Sequence, residues 1–510
     1  MEIKSTLLTS ERGNNYIVSQ AIPQVLLLHP ISNYLMKLSE KGIILEDWIA
    51  QQPEDSEIEV ESGLISNKQE IRYYYEYLKF LEKNNYFKEI KAYELTEDCY
   101  SAEFIEAQIA NTNQIVFECT SACGLRCKYC GYGDLYKGHD NRKPKELDII
   151  LAKKLFDYII DRLESPLNRK IHERIALSFY GGEPLLNMHF IKEMVAYVKS
   201  KKVLKKVFFF SMTTNGLDIN KHMDFLVEND FMLLISLDGN EKNNAYRVRP
   251  DGSSSFKKVY NNVLELKKKY PGYYEERVRF TSVLHNKNSN KEIRDFFETH
   301  FGKTPIINEV KSYDLKTEKK LEFDRMFKGK FTGLTPQDII NDINDKRKIF
   351  DTPFAVKLVS FLNRHSGFVF KSYNQLLLQR ENYYYVSTGT CFPFERKIFL
   401  TVDGKILPCE RINQIYTMGN VDEEGVHLDF HKIAEKYNAY FKKLMNQCNH
   451  CLRSNGCKMC IFYLNIEENN PSCPSYYGLS EFKKALINSI SLLEENPKYY
   501  VRILRDYQEQ

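Results

Sequence analysis

Hydrophobic and polar positions switch between two periods through the middle of this chain. Five short runs rich in β-branched and aromatic residues read as strands: "NQIVFECT", "ERIALSFYGGEP", "VFFFSMTTNG", "FMLLISLDG" and "ERVRFTSVLH". Between and after them, "ELDIILAKKLFDYIIDRL", "NMHFIKEMVAYVKSKK", "NKHMDFLVEND" and "FKKVYNNVLELKKKY" repeat apolar residues at helical spacing. Strand–helix repetition with apolar strands predicts a parallel sheet covered by crossover helices. The expected class is α/β, a full or partial β/α barrel over residues 111–310. In such folds ligands bind beyond the carboxyl ends of the strands, and the glycine and polar motifs fall there.

The flanks carry other patterns. "QVLLLHPISNYLMKLSEKG" reads as a strand feeding an amphipathic helix, and "EDSEIEVESG" as an acidic loop. "NKQEIRYYYEYLKFLEKNNYF" places Ile71, Tyr74, Tyr75, Leu78 and Leu81 on one helical face. Together these make residues 1–110 a compact helix–strand module. Residues 311–385 carry no chemical motif; "DLKTEKKLEFDRMFKGKFTGLTPQ" reads as an insertion and the remainder as a helical bridge. "KIFLTVDGKILPC" alternates around Asp403-Gly404 and reads as a hairpin, inside a cysteine-rich domain over 386–480. Residues 481–510 read as one terminal helix.

Composition narrows the class. With 43% apolar residues among 510, the chain has an ordinary globular make-up. The net charge of +4 argues against a dedicated nucleic-acid binder. The first residues, "MEIKSTLLTSERGNNY", lack the apolar core of a signal peptide, and the longest apolar runs are too short to span a bilayer. The expectation is a cytoplasmic protein with no membrane and no nucleic-acid partner. In that compartment twelve cysteines in two patches fit metal or redox chemistry better than disulfides.

The first patch is Cys123-x3-Cys127-x2-Cys130, in a loop after the first barrel strand. Three thiolates from one tight loop leave one corner of a four-iron cluster open, and an open iron can bind a small molecule. Cys119, at the end of that strand, reads as a buried structural cysteine. This spacing, with aromatic Tyr129 before the third cysteine, resembles the signature of the radical S-adenosylmethionine enzymes. The downstream motifs strengthen the resemblance. Gly181-Gly182-Glu183-Pro184 resembles the family's GGEP motif, where Glu183 and nearby backbone would bind the methionyl amino group. Thr214-Asn215-Gly216 resembles its TNG turn, with Asn215 bordering the site. Ser236 and Asp238 match the fourth strand, and Ser236 with Arg247 would hold the methionyl carboxylate. The family often reads HDxxR before this arginine, where this chain has "NNAYR"; Arg249 is a rival for the same role.

The second patch begins with Cys391 and Cys409, and continues as Cys448-x2-Cys451-x5-Cys457-x2-Cys460 with a last Cys473. A zinc ribbon on Cys448, Cys451, Cys457 and Cys460 is the generic competitor. The whole arrangement resembles the SPASM extension of peptide-modifying radical S-adenosylmethionine enzymes, departing from it by an x2 in place of the usual x3. By that resemblance Cys391, Cys409 and Cys460 would ligate one auxiliary [4Fe-4S] cluster. Cys448, Cys451, Cys457 and Cys473 would ligate a second. Glu410 stands where sulfatase-maturating relatives place an acidic base, a role that burial would assist by raising its pKa. The alternative reading of Glu410 is a solvated carboxylate paired with Arg411.

The resemblance implies a (β/α)6-type partial barrel, preceded by a winged-helix-like leader-recognition domain at 1–110. The cofactors implied are S-adenosylmethionine, one [4Fe-4S] cluster on Cys123, Cys127 and Cys130, and the two auxiliary clusters. The implied chemistry is reductive cleavage to a 5′-deoxyadenosyl radical that takes hydrogen from a ribosomally made precursor peptide carrying a leader. The product would be an oxidative modification such as a thioether or other crosslink. An electron donor such as flavodoxin or ferredoxin would be needed. Two alternatives are a sulfatase-maturase-like enzyme making formylglycine and a non-catalytic zinc-binding scaffold.

Overall fold

The structure is a computed structural model. It describes residues 7–329 and 388–508, together with 358 and 361–362. Left out within those spans are 20–23, 62, 89–91, 93–94, 96–97, 139–142, 170–172, 202, 204–205, 454–456, 468 and 470. Most of the expected helical bridge at 311–385 thus lies outside the described residues.

The chain opens with β1 (Leu7–Thr9), β2 (Asn15–Ser19) and β3 (Gln24–Leu27), an antiparallel sheet in that order. Two helices, α1 (Pro30–Glu40) and α2 (Leu45–Gln51), lead to a hairpin, β4 (Glu57–Glu61) and β5 (Leu64–Asn67), and then to α3 (Lys68–Lys83). The expected acidic loop is therefore a strand: in "EIEVE" Val60 is buried while the glutamates at 57, 59 and 61 face solvent. Alternating acids hid the strand, because its inner face offers only two apolar residues, Ile58 and Val60. On α3 the predicted face holds, with Ile71, Leu78 and Leu81 buried and Tyr74 and Tyr75 packed beside them.

After α4 (Ala102–Ile109) the predicted alternation follows. The elements are β6 (Gln114–Thr120), α5 (Ile149–Leu163), β7 (Glu173–Gly181), α6 (Met188–Ser200), β8 (Lys206–Thr214), α7 (Ile219–Glu228) and β9 (Met232–Ser236). Next come α8 (Phe256–Lys269), α9 (Pro271–Arg277), β10 (Val278–Leu284), α10 (Asn290–Phe301), β11 (Ile306–Glu309) and α11 (Lys320–Met326). Six strands, β6 to β11, pair in sequence order and in parallel. Glu276 and Arg277 belong to α9, because Pro271 starts a short helix that runs up to Val278. The strand β11 has only four residues, too few for its pattern to stand out in sequence.

The cysteine-rich region does not form a separate sheet. Its hairpin, β12 (Ile398–Leu400) and β13 (Lys405–Leu407), extends the central sheet through parallel pairing of β12 with β6. β14 (Gly419–Val421) and β15 (Val426–His427) complete ten strands in the order β11-β10-β9-β8-β7-β6-β12-β13-β14-β15. Glu118, fully buried on β6, accepts a hydrogen bond from Val402 N at 3.0 Å and fastens the join. One continuous apolar core runs from Ile115 and Phe179 on the parallel side to Ile406 and Tyr437 on the other.

Helix α12 (Phe430–Cys448) packs on α4. The end of the chain is two helices, α13 (Leu479–Glu495) and α14 (Lys498–Gln508), rather than the single one expected. Pro497 cannot continue the first helix and disfavours a helical Asn496. Glu494 on α13 accepts from Ser10 Oγ at 3.0 Å, Asn14 Nδ2 at 2.7 Å and Tyr16 OH at 2.6 Å, tying the N-terminal sheet to the C-terminal helices.

Candidate functional site

The site grows from the carboxyl ends of the parallel strands. The loop after β6 is fixed on both sides by backbone. Ser121 N donates to Lys145 O at 2.9 Å, Arg126 N to Val248 O at 2.7 Å and Lys128 N to Tyr246 O at 3.0 Å. Within the loop Cys130 N donates to Cys127 O at 3.1 Å and Gly133 N to Cys130 O at 2.8 Å. Cys123, Cys127 and Cys130 therefore sit on a tight, pinned turn, while Cys119 is fully buried in the strand behind them.

The three thiols share one low-dielectric patch. Burial pushes Cys127 up to about 12, against the pull of Arg247. It raises Cys130 and Cys123 as well, and Cys123 also feels Cys130. Two donors aim at the Cys123 sulfur, Leu125 N at 3.4 Å and Asn215 Nδ2 at 3.6 Å. Neighbouring buried thiols of raised pKa ionise together only beside a strong positive charge, as metal ligands do. The donor set thus fits an iron–sulfur cluster held by three cysteines. Among the described residues no three His, Cys, Asp or Glu close on a single-ion site.

The glycine motif packs directly on this loop. Gly182 N donates to Thr120 O at 2.8 Å and Glu183 N to Ala122 O at 2.8 Å. A Cβ on Gly182 would overlap the Ala122 carbonyl, and one on Gly181, at φ 134°, the Thr120 carbonyl. The close approach that glycine permits is thus made to the cysteine loop itself. Glu183 is buried and its carboxylate is used internally. One oxygen accepts from Thr214 Oγ1 at 2.6 Å and Leu185 N at 3.2 Å, the other from Asn215 N at 2.7 Å. Burial outweighs those bonds and raises its pKa to about 7. Glu183 thereby locks the turn carrying Asn215, which reaches the Cys123 sulfur.

On the opposite side, Asp238 lies fully buried just past β9. It accepts from Tyr129 OH and from Val283 N at 2.9 Å, and Arg247 Nε lies 3.1 Å from it. Burial opposes its ionisation, yet Arg247, His285 and Tyr129 hold its pKa below the usual carboxylate range. Tyr129, between two loop cysteines, is thus anchored by the end of β9, with the Arg247 cation 5.5 Å from its ring centroid. Arg247 is engaged with Asp238, whereas Arg249 lines an open cleft beside Gly124. Ser236 ends β9, half-buried, opposite Thr281 on β10.

The seven C-terminal cysteines fall into two groups. Cys448 is pushed up to about 12 by burial and by Cys451, Cys457 and Cys473. Cys460 is pushed up to about 11 by burial, with Cys391 adding to it. The buried Tyr437 feels Cys460, Cys409 and Cys391 together. All twelve cysteines are free thiols. Glu410 is not a solvated carboxylate paired mainly with Arg411. Lys397 Nζ grips both its oxygens at 2.9 Å, the two side chains being 13% and 11% exposed, while Arg411 Nε stands off at 3.8 Å. Burial does not raise its pKa as the sequence suggested; Lys397 outweighs burial and lowers it.

Sequence reasoning missed Lys397. The signal was available: carrying the Phe399–Leu407 register outward sets Lys397 opposite Cys409. It also missed Tyr132 and Tyr180, each of which feels both Cys130 and the Cys409–Glu410 pair, and the stacked Tyr313–Tyr463 pair with ring centroids 3.8 Å apart. His285, buried against Asp238 at 3.7 Å, gave no motif at all.

Comparison with known proteins agrees with the geometry of the loop. Residues 117–299 match the Radical SAM superfamily. A cysteine-type anaerobic sulfatase-maturating enzyme of Clostridium novyi is 29% identical over 189 residues, 36% of this chain and 47% of that protein. The radical SAM cyclopropyl synthase TigE of Paramaledivibacter caminithermalis is 27% identical over 188 residues, 36% of this chain and 38% of that protein. The chain thus spans less than half the length of these two relatives. A solved structure of anSMEcpe with bound AdoMet and a Kp18Cys peptide superposes with a TM-score of 0.48 at 19% identity, covering 77% of this chain and 99% of that one. Residues 117–299, with three cysteines on one pinned loop between the ends of β7, β8 and β9, are a domain of the Radical SAM superfamily, whose members are enzymes.

Proposed function

We propose that the protein is a radical S-adenosylmethionine peptide maturase with auxiliary clusters. The observation that carries this reading is the pairing of β12 with β6, which joins the hairpin leading to Cys409 and Glu410 to the sheet whose strand β6 bears the cysteine loop. Cys123, Cys127 and Cys130 would hold the cluster, and Tyr129, Gly181, Gly182, Asn215, Ser236 and Arg247 would border the S-adenosylmethionine. Glu183 and Asp238 would hold that border in shape. Bound there, cluster and S-adenosylmethionine would together supply a radical able to take a hydrogen atom from an unactivated carbon. Tyr132 and Tyr180 would wall the space between the two cysteine regions and keep water from it. Glu410, ionised by Lys397, would stand ready to accept a proton from the substrate. Cys391, Cys409 and Cys460, and separately Cys448, Cys451, Cys457 and Cys473, would hold the auxiliary clusters.

Among the described residues β3 is an edge strand of the N-terminal sheet, suited to capturing an extended leader by strand addition. The substrate proposed is therefore a ribosomally made precursor peptide with a leader. Sequence similarity to a sulfatase-maturating enzyme favours a second reading, oxidation of a sulfatase cysteine to formylglycine.

Iron and acid-labile sulfide per chain, after anaerobic reconstitution, test the proposal. Three four-iron clusters give about twelve iron, falling to about eight when Cys123, Cys127 and Cys130 are changed to Ala. About four iron, vanishing in that variant, would remove the auxiliary clusters and the maturase reading with them. Turnover of a short cysteine peptide without a leader would favour the formylglycine reading. Dependence on a leader-bearing precursor would favour the first.

A further inference from the structure

Helix α12 carries Tyr437 on its inner face, fully buried. The ring meets Phe462 edge-on, with centroids 5.7 Å apart, and Tyr100 at 5.5 Å. Phe462 lies two residues after Cys460. Tyr100 in turn lies 6.3 Å from Phe392, the residue after Cys391. Tyr437 is thus bracketed by the neighbours of two cysteines of one group. Cys409 and Cys460 pack against the same core, and the Tyr437 hydroxyl feels Cys460, Cys409 and Cys391. Yet that hydroxyl has no hydrogen-bond partner among the described residues. Tyr440, one turn on, has its hydroxyl paired with Glu467. An unpaired hydroxyl in a core is unfavourable, and a phenylalanine would fill the same space without it. The orphaned oxygen therefore points to a partner that the polypeptide does not itself supply. The other donors around these sulfurs are protein groups: Arg411 N donates to Cys409 Sγ at 3.4 Å, and Thr390 bonds Cys460.

We infer that the Tyr437 hydroxyl donates a hydrogen bond to a sulfur of the cluster held by Cys391, Cys409 and Cys460, and that this bond helps to set the cluster's reduction potential. The inference rests on the auxiliary-cluster assignment proposed above. A phenol is a ready donor at neutral pH, and the sulfurs of a cluster are electron-rich acceptors. A hydrogen bond to them draws charge away from the iron. It favours the reduced form, which carries the extra electron, and so raises the potential. That direction suits a centre that takes an electron from the substrate. Because Tyr437 is fully buried, no bulk water competes for the bond. Tyr437 is on this account a positioning and tuning residue, acting on the cluster rather than on the substrate.

The test uses the full-length chain with Cys123, Cys127 and Cys130 changed to Ala, reconstituted anaerobically so that only the auxiliary clusters signal. Potentiometric titration followed by electron paramagnetic resonance gives a midpoint for each cluster. Tyr437→Phe is expected to move one midpoint to a more negative value, leaving the other midpoint and the iron content unchanged. Tyr100→Phe removes a second unpaired buried hydroxyl, from the neighbouring ring, and is expected to move neither. A further readout separates bonding from packing. In metal-free protein Tyr437→Phe is expected to hold or raise the urea midpoint, because no bond is lost there. Unaltered cluster midpoints in Tyr437→Phe would overturn the inference, as would an equal shift from Tyr100→Phe or a lowered urea midpoint in the metal-free variant. A fall in iron content in Tyr437→Phe would make the phenol an iron ligand and overturn the hydrogen bond. If changing Cys391, Cys409 and Cys460 to Ala leaves the iron content unaltered, the auxiliary-cluster assignment itself falls, a result read independently of Tyr437.

Discussion

The cysteine loop after β6 and the C-terminal cysteine region hold their thiols by different means. The loop is braced by ordinary protein structure: backbone bonds to 145, 246 and 248, glycine packing at 181–182, and the buried Tyr129–Asp238–Arg247 group. The C-terminal region has strands of two or three residues, short turns, and one long helix that ends at Cys448. Of its four grouped thiols, Cys448 closes that helix, while Cys451, Cys457 and Cys473 stand outside helix and strand. On the cluster assignment proposed above, the comparison sets a site shaped by the fold before metal arrives against one that would depend on metal to finish the fold.

The largest test of this difference is metal removal. Chelation should leave the parallel sheet protected and open residues 448–478 to protease, since structural metal sites contribute on the order of 10 kcal/mol to folding. Equal protection of both regions in mass-spectrometric proteolysis would break the comparison. Next come the buried charges on each side. Asp238→Ala strands Arg247, and Lys397→Met strands Glu410, each expected to cost about 3–5 kcal/mol in urea unfolding. If the comparison holds, the Lys397→Met loss shrinks in metal-free protein, where the surrounding region is already loosened, and the Asp238→Ala loss does not.

Glu183 gives a pH test on the loop side. Its pKa rises from 4.5 in the unfolded chain to about 7 in the fold, so the native state binds the extra proton between those values. Stability is then greatest below pH 4.5 as far as this group is concerned. It falls by up to about 3 kcal/mol as pH rises to 7, and is flat beyond. Glu183→Gln should erase that slope, as urea midpoints at pH 5 and pH 8 will show. The smallest effect expected is from Tyr129→Phe, at the low end of the roughly 1.5–3 kcal/mol for one bond to a charged partner. It should appear with and without metal.

Much of the parallel sheet was legible in the sequence. Five of its six strands follow from apolar runs such as "QIVFECT" and "KVFFFSMTT", because strands covered on both faces must be apolar throughout. The edge strand Ile306–Glu309 and the acidic strand Glu57–Glu61 escaped, since neither has enough buried residues to set a pattern. The site was legible as a set of motifs and less so as a geometry. Glu183 reads as a ligand in sequence and turns inward in the fold. Glu410 reads as a solvated or burial-shifted acid and meets Lys397 instead.

The sequence by itself determined the strand–helix order, the cysteine loop at a strand end, and the glycines beside it. Local spacing and periodicity carry that information, and they act within a few residues. Only the tertiary structure decided that the cysteine hairpin joins β6, that Tyr129 is held by Asp238, and that Lys397 reaches Glu410. Those are contacts between segments far apart in the chain. They exist because burial leaves a charged or polar group no partner except the one the fold brings to it.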